Sequence, residues 1–312
     1  MPRSVRFKAL ILNHPLEHLV LGAVQLGLPY GIANTAGQPD AAEAAEIIAA
    51  GWRRGLRWFD TAQAYGTSEA VLGEAFEKLG IAAEACVISK LAPEVPAADP
   101  VSVCDAVGGS LQRLRVPKLA GLMLHRESQL DAWEPGIRRS FEAAKDAGLI
   151  ERVGISVYST EHALNALAAP GIDMIQVAAN VFDRRMQRGG VFQRAKDLGK
   201  AVFIRSVYLQ GLALMPPEAA PTGISRAVEA VRALDEFCRE RRIDRRQFAI
   251  DFVRAAAPDA RLVLGAETSR QVAENCDCFA GDAIAPAFHD QWMKRWPEDV
   301  EALIDPRFWP SA

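Results

Sequence analysis

Trp58-Phe59-Asp60-Thr61-Ala62-Gln63-Ala64-Tyr65-Gly66, followed by Ser68-Glu69, is the stretch that decides the reading of this sequence. A short apolar run, 56–59, stops at an acid, and a tyrosine follows five residues later between Ala64 and Gly66. Ser68 then opens a helical pattern, with Val71, Leu72, Ala75, Phe76 and Leu79 on one stripe and Gly80 to close it. A buried strand that delivers a carboxylate and a phenol to its own C-terminal end is a way to build an active site. The same residues also suit a plainer structure, in which Asp60 caps a turn and Tyr65 packs.

Outward from this stretch, strand-like and helix-like patterns alternate along the chain. Apolar strand runs are read at 18–24, 56–59, 86–89, 121–124, 153–157, 172–178, 201–204 and 261–264. Asp40-Ala41-Ala42-Glu43 has the spacing of a capping box, with Ile47, Ile48 and Trp52 on the face behind it. Further helices run through Val103, Val107, Leu111 and Leu114, and through Ile137, Phe141 and Ala144 to Gly148. Thr160 is expected to cap the next helix, and a short one is expected from Ser269. Short apolar strands separated by amphipathic helices argue for a parallel sheet covered by helices. Eight such units in 312 residues predict an α/β fold, a (β/α)8 TIM barrel in a single domain over 1–312. The segment from about 285 to 312, with Trp292, Trp296 and Trp309, is expected to pack as a C-terminal helix and tail. A doubly wound sheet is the alternative, but no G-x-G-x-x-G follows any strand; Gly22, Gly27 and Gly31 have the wrong spacing.

Composition narrows the function classes. Apolar residues make up 50% of the chain and the formal charge is -3, so a large core is available and nothing electrostatic favours nucleic acid or anionic membrane as a partner. The basic clusters Arg239-Glu240-Arg241-Arg242 and Arg245-Arg246 read as solvated helix surface. The apolar run 9–12 is too short for a signal sequence, and no run approaches the ~20 residues of a membrane span. Five cysteines, an odd number without an export signal, suit a reducing cytoplasm, and that localisation is expected. Cys276 and Cys278 form the one close pair; no further ligands flank them, and no metal is expected. Nothing in the pattern selects an oligomeric state.

In a parallel barrel, the residues at the C-terminal ends of the strands face one mouth, where catalysis sits. Those ends carry Asp60, Lys90 and His125 on consecutive strands, with Tyr65 on the loop just after Asp60. Each has an ordinary reading by itself, as a turn cap, a surface lysine or a loop histidine. As a set they suit one chemistry. A phenol ionises near pH 10 and is a poor proton donor at neutral pH. A neighbouring ammonium favours the phenolate. A carboxylate keeps that ammonium charged and in place, and a histidine can hydrogen-bond a substrate oxygen.

These residues resemble the aldo-keto reductase family. The resemblance is carried by Phe59 to Gly66 with Ser68-Glu69 and Leu72-Gly73, by Ile88-Ser89-Lys90, and by Leu122-Met123-Leu124-His125. It continues through Val153-Gly154-Ile155-Ser156, Gln176 to Asn180, Gln210-Gly211-Leu212 and Gly265 to Asn275, so it covers about residues 19 to 276. It implies a barrel that binds NADP(H), or less often NAD(H), without a Rossmann domain. By position Tyr65 resembles the general acid, Asp60 and Lys90 the pair that tunes it, and His125 the residue that orients the carbonyl.

The resemblance also implies cofactor contacts. Ser156 and Gln176 fall where the family holds the nicotinamide carboxamide, although its usual Ser-Asn pair is Ser156-Val157 here. Arg205 stands where many members carry an aromatic residue against the nicotinamide, within Arg205-Ser206-Val207-Tyr208-Leu209-Gln210-Gly211. Ser206, Leu209 and Gly211 belong to the same cofactor loop. Gly265, Glu267, Arg270, Gln271 and Asn275 fall around the adenosine phosphate, where the amides of a helix start can hold anionic oxygens. Arg270 favours a 2′-phosphate and Glu267 a free ribose hydroxyl; the reading leans to NADP(H), with NAD(H) as the alternative.

The expected function is an NAD(P)(H)-dependent oxidoreductase acting on a small carbonyl or alcohol; Arg126 and Arg205 point to a polar or acidic substrate such as a sugar derivative, and Arg205 could instead reach a phosphate. Tyr30 and Asn34, in the loop after the first strand, are candidate substrate contacts or merely shape that loop. The departures at Val157 and Arg205 leave two further readings open. One is a nucleotide-binding sensor or scaffold barrel with little turnover. The other is a barrel isomerase that uses Tyr65 and His125 without nicotinamide.

Overall fold

The alternation in the sequence becomes eight parallel strands that close in chain order into a barrel. They are β1 (Leu19–Gly22), β2 (Trp58–Asp60), β3 (Cys86–Leu91), β4 (Gly121–Leu124), β5 (Val153–Ser156), β6 (Met174–Ala178), β7 (Ala201–Arg205) and β8 (Arg261–Gly265). The principal helices are α1 (Ala41–Arg53), α2 (Ser68–Leu79), α3 (Pro100–Leu114), α4 (Arg138–Asp146), α5 (Thr160–Ala168) and α6 (Val191–Asp197), then α7 (Ala227–Arg241), α8 (Arg245–Ala256), α9 (Ser269–Ala280) and α10 (Pro286–Arg295). The computed structural model describes residues 14–310, and the N-terminal run 9–12 lies outside the described residues. The chain is therefore a single-domain (β/α)8 barrel.

Two apolar cores hold it. The larger lies between the outward faces of the strands and the helices, where Phe59 meets Phe76 edge-on at 4.8 Å. The smaller plugs the barrel itself with Val20, Ile88, Met123, Met174, Phe203 and Val263, and Trp58 packs on it. On β5 the inward position is Gly154, against which Met174 and Met123 close. Side chains alternate along a strand. The residue two places beyond each plug residue therefore points inward again, one layer nearer the mouth. That layer is Gly22, Asp60, Lys90, His125, Ser156, Gln176, Arg205 and Gly265, so the apolar plug is the floor on which the polar residues stand.

Local details differ from expectation in instructive ways. β1 ends at Gly22 rather than reaching Val24: the Ala23 amide still donates to the Asp60 carbonyl (2.8 Å), but the chain then turns into one helical turn, Val24–Gly27. Ser68 does not cap α2; its hydroxyl is fully buried, donating to the Ala23 carbonyl (2.7 Å) and bonding Thr61 Oγ1 (2.8 Å). Ser159, not Thr160, caps α5, accepting from the His162 amide at 3.1 Å. The helix from Ser269 is 12 residues long, capped by Thr268. The Asp40 capping box forms as read, with Glu43 Oε2 accepting from the Asp40 amide at 3.0 Å. Arg245 and Arg246 are not solvated surface. Arg245 donates to the Met215 carbonyl (2.7 Å) and Arg246 to Asn275 Oδ1 (2.7 Å).

The C-terminal segment covers one side of the mouth. Trp292 is fully buried and donates to the Val181 carbonyl at 2.8 Å. Asp299 pairs with the buried Arg184 (3.2 Å) and with Arg188 (2.5 Å). Arg307 reaches Glu127 in the loop after β4 (3.1 Å) and lies over the Tyr158 ring, after β5, at 3.8 Å. Among the described residues no helix is long and apolar enough to cross a membrane.

Candidate active site

Asp60, Lys90, Tyr65 and His125 come together at the mouth. Lys90 is 1% exposed, and its ammonium donates to both oxygens of Asp60 (2.7 and 2.9 Å) and to the Thr61 carbonyl (3.1 Å). Burial by itself drags this ammonium down. Attraction to Asp60, then to Tyr65, together with hydrogen bonds to both, outweighs burial and leaves the lysine pKa above its ordinary value. The ammonium lies 5.1 Å from the Tyr65 ring centroid. Tyr65 meets the His125 ring edge-on at 5.7 Å, with 80° between the planes.

His125 has its pKa pushed down to about 4, first by burial and then by the Lys90 charge, with Arg205 and Arg126 adding and Asp60 opposing. Its Nδ1 is buried without a hydrogen-bond partner. An unpaired lone pair is cheaper to bury than an unpaired N–H. The ring proton of the neutral imidazole is therefore placed on Nε2.

Tyr65 is aimed by its loop. The loop must pass within contact of the first one: a Cβ on Gly27 would fall 1.9 Å from the Tyr65 carbonyl oxygen, and one on Gly66 would fall 2.4 Å from the Gly27 carbonyl oxygen. Gly66 also sits at φ +52, in the left-handed region. Only glycine at both positions lets the loops nest, which fixes where the phenol points.

A cavity of about 530 Å³ opens from Asp60 and Tyr65 and runs to β8. Of the expected cofactor contacts, Gln176, Arg205, Ser206, Gly211, Gly265, Glu267 and Gln271 line it, as does Tyr30. Ser156, Leu209, Arg270 and Asn275 do not. Gln176 takes a position unforeseen from sequence: its amide donates to Asp60 Oδ1 at 2.7 Å, completing the ring of donors around that carboxylate. Glu267 and Gln271 bind each other, at 2.9 Å through their side chains. The Arg270 side chain is 88% exposed and paired with Glu274 at 2.8 Å. Asn275 is buried behind the wall, accepting from Tyr208 (2.9 Å) and Arg246 (2.7 Å). Asn34 uses its amide within its own loop, donating to Gly37 (2.9 Å) and accepting from the amides of Ala36 and Gly37. Arg126 is exposed and outside the cavity wall. The Tyr30 phenol is pushed up to about 12, chiefly by burial and opposed by Arg205, although 38% of the residue surface remains open.

Three features, two in the wall and one behind it, escaped the sequence. Arg246 lines the cavity from α8, its side chain 19% exposed and paired with Glu274 at 3.1 Å. Gln25 crosses beneath Gly265 with its Oε1 buried and unpartnered. Tyr158 carries Arg205 on its ring at 4.0 Å. The loop after β7 holds Ser206, Leu209 and Gln210 at positive φ, a concentration of backbone strain at the cavity edge. Among the described residues no cluster of metal ligands occurs.

With barrel, cavity and polar ring defined, comparison with known proteins places the chain. The model of the aldo/keto reductase family matches residues 18–294. The chain belongs to this family. A curated relative, aldo-keto reductase YhdN of Bacillus subtilis (strain 168), is 28% identical over 172 residues, 52% of this chain and 50% of that protein. The chain thus spans about half the length of the curated relative it matches. Two solved structures share the fold: aldo-keto reductase AKR11C1 from Bacillus halodurans, in its holo form (TM-score 0.73, 19% identity), and glycerol dehydrogenase AKR11B4 from Gluconobacter oxydans (TM-score 0.71, 22% identity). Each comparison covers 89% of this chain and 91% of the other.

Proposed function

We propose that this chain is a cytoplasmic NAD(P)(H)-dependent oxidoreductase that interconverts a small carbonyl (aldehyde, ketone or sugar derivative) and its alcohol, with Tyr65 as general acid and base. The observation that carries the reading is the buried Lys90–Asp60 pair set beside the Tyr65 ring at the cavity mouth. In the reducing direction Tyr65 gives its phenolic proton to the carbonyl oxygen. Lys90 stabilises the phenolate left behind, and solvent returns the proton. Asp60 keeps Lys90 charged and fixed, while Gln176 stops the carboxylate from rotating away. Neutral His125 donates from Nε2 to the same substrate oxygen and orients it. In the oxidising direction the phenolate takes the alcohol proton.

The wall residues fit a nicotinamide nucleotide. Arg246 supplies a cation, Glu267 a carboxylate for a hydroxyl, and Gln25 an unpartnered amide oxygen. When bound, the nucleotide supplies or accepts the hydride at the carbonyl carbon. Arg246, rather than Arg270, is the cavity cation that supports the lean to NADP(H); Glu267 supports the NAD(H) alternative.

The test is a titration with NADPH and NADH side by side, followed by a carbonyl and sugar panel read at the nicotinamide absorbance. Tyr65→Phe is expected to lower kcat by about 10²-fold to 10⁴-fold, the range of general acid catalysis, while nucleotide Kd stays within about threefold. Wild-type kcat in that variant would sink the mechanism. Tight nucleotide binding without turnover on the whole panel moves the reading to a sensor or scaffold, and failure to bind either nucleotide moves it to an isomerase.

A further inference from the structure

Arg205 is the inward residue at the top of β7, and its guanidinium lines the cavity beside Tyr65 and Asp60. Its polar contacts are two long hydrogen bonds to neutral oxygens, Ser206 Oγ and the Val157 carbonyl, each 3.4 Å. A guanidinium has five N–H donors, so most of its capacity is unused. Among the described residues no carboxylate lies within ion-pair distance of it. The neighbouring cations differ: Arg307 is paired with Asp305 (2.6 Å) and Glu127 (3.1 Å), Arg246 with Glu274 (3.1 Å), and Lys90 with Asp60 (2.7 Å). Arg205 is thus the uncompensated charge at the reaction centre.

It is also held rigidly. Its Cζ stacks 4.0 Å from the Tyr158 ring centroid, and the Cζ of Arg307 lies 3.8 Å from the same centroid. The Tyr158 amide is in turn fixed by Glu127 Oε2 at 2.7 Å. Stacking satisfies one face of the guanidinium and leaves its N–H edge for a planar or tetrahedral anion. The field of Arg205 reaches both His125 and Tyr30, placing it near the groups that would surround a reacting carbonyl. A cation kept in a partly buried site without a counter-ion, and braced by a ring and a second arginine, is pre-organised for a charge that arrives with a ligand.

We propose that Arg205 receives an anionic group, carboxylate or phosphate, carried by the substrate itself, so that this enzyme acts on acidic carbonyl compounds or the matching alcohols. The proposal rests on the function stated above. Arg126 has no part in it, since it lies outside the cavity wall.

The experiment compares kcat/KM for matched pairs that differ in the anionic group: succinic semialdehyde against butanal, and glyceraldehyde 3-phosphate against glyceraldehyde. Nucleotide Kd is measured in parallel, in wild type and in Arg205→Met. The wild type is expected to favour at least one acidic member by about 10-fold to 100-fold, the worth of one charge-assisted hydrogen-bonded contact. Which pair shows the preference separates carboxylate from phosphate. Arg205→Met should bring that ratio to within about threefold of unity and leave nucleotide Kd within about threefold. Equal kcat/KM for acidic and neutral members in wild type overturns the proposal while leaving the reductase reading intact. So does a variant that keeps the preference but binds the nucleotide tenfold more weakly, which assigns Arg205 to the cofactor. Absence of turnover on every member, with nucleotide bound, fails the function itself.

Discussion

Asp60 has little freedom left: both carboxylate oxygens hold Lys90, and one also holds Gln176. At the scale of single residues, this is what makes a flexible lysine act as a fixed charge. The acid at the strand end, the lysine and the histidine were legible in the sequence because each ends a short apolar run. The Gln176 contact was not, because its partner lies 116 residues away and only barrel closure brings them together. His125 carries a pH prediction. The unfolded chain takes up a proton on histidine near 6.5, whereas the folded site does so at about 4. Between those values the unfolded state binds more protons, so this residue makes stability fall as pH drops from about 6.5 to about 4. In His125→Asn the fall of Tm across that window should shrink relative to wild type. Above pH 5 the imidazole stays neutral, and an NMR titration that found it charging near pH 6.5 would contradict the assigned state.

At the scale of elements, the loops after β1 and β2 are one device. The helical turn Val24–Gly27 passes under Tyr65 only because position 27 has no side chain. Gly27→Ala drives a methyl group into two backbone atoms, the Tyr65 carbonyl oxygen at 1.9 Å and the Ser68 nitrogen at 2.5 Å. Overpacking of this kind costs about 1–3 kcal/mol. A displaced general acid costs about 10²-fold in rate. The expected outcome is a large fall in kcat with nucleotide affinity nearly unchanged, and unaltered kcat would show that these glycines do not aim the phenol. Periodicity located both loops but hid their contact: Ser68 looked like a cap because its neighbours are helical, while its hydroxyl was needed in the seam between them. Arg245 and Arg246 were misread for a related reason. Charge runs on helices usually face water, and nothing local reveals that the loop after β7 folds back over them.

At the scale of the whole molecule, the C-terminal segment is tied to the loops of the mouth by ion pairs rather than by strand pairing. The side chains of Arg184 and Asp299 are 2% and 8% exposed. Removing one partner of a buried pair costs about 3–5 kcal/mol, because the other charge is left behind. Asp299→Ala should lose about that much in urea unfolding, and adding Arg184→Met should recover most of it. A loss in the single variant that the double does not recover would place the effect in packing instead. That this segment packs was legible from its tryptophans; that it reaches Tyr158 through Arg307, and so braces Arg205, was not.

The apolar plug and the polar layer above it also bear on how such a protein changes over generations. Every chemical group of the ring stands two positions beyond a residue that holds the barrel together, and none of the ring belongs to the plug itself. A codon change at Arg205, which pairs with no carboxylate among the described residues and stands above the plug, can therefore alter what is recognised without breaking the buried Asp60–Lys90 pair or moving the floor.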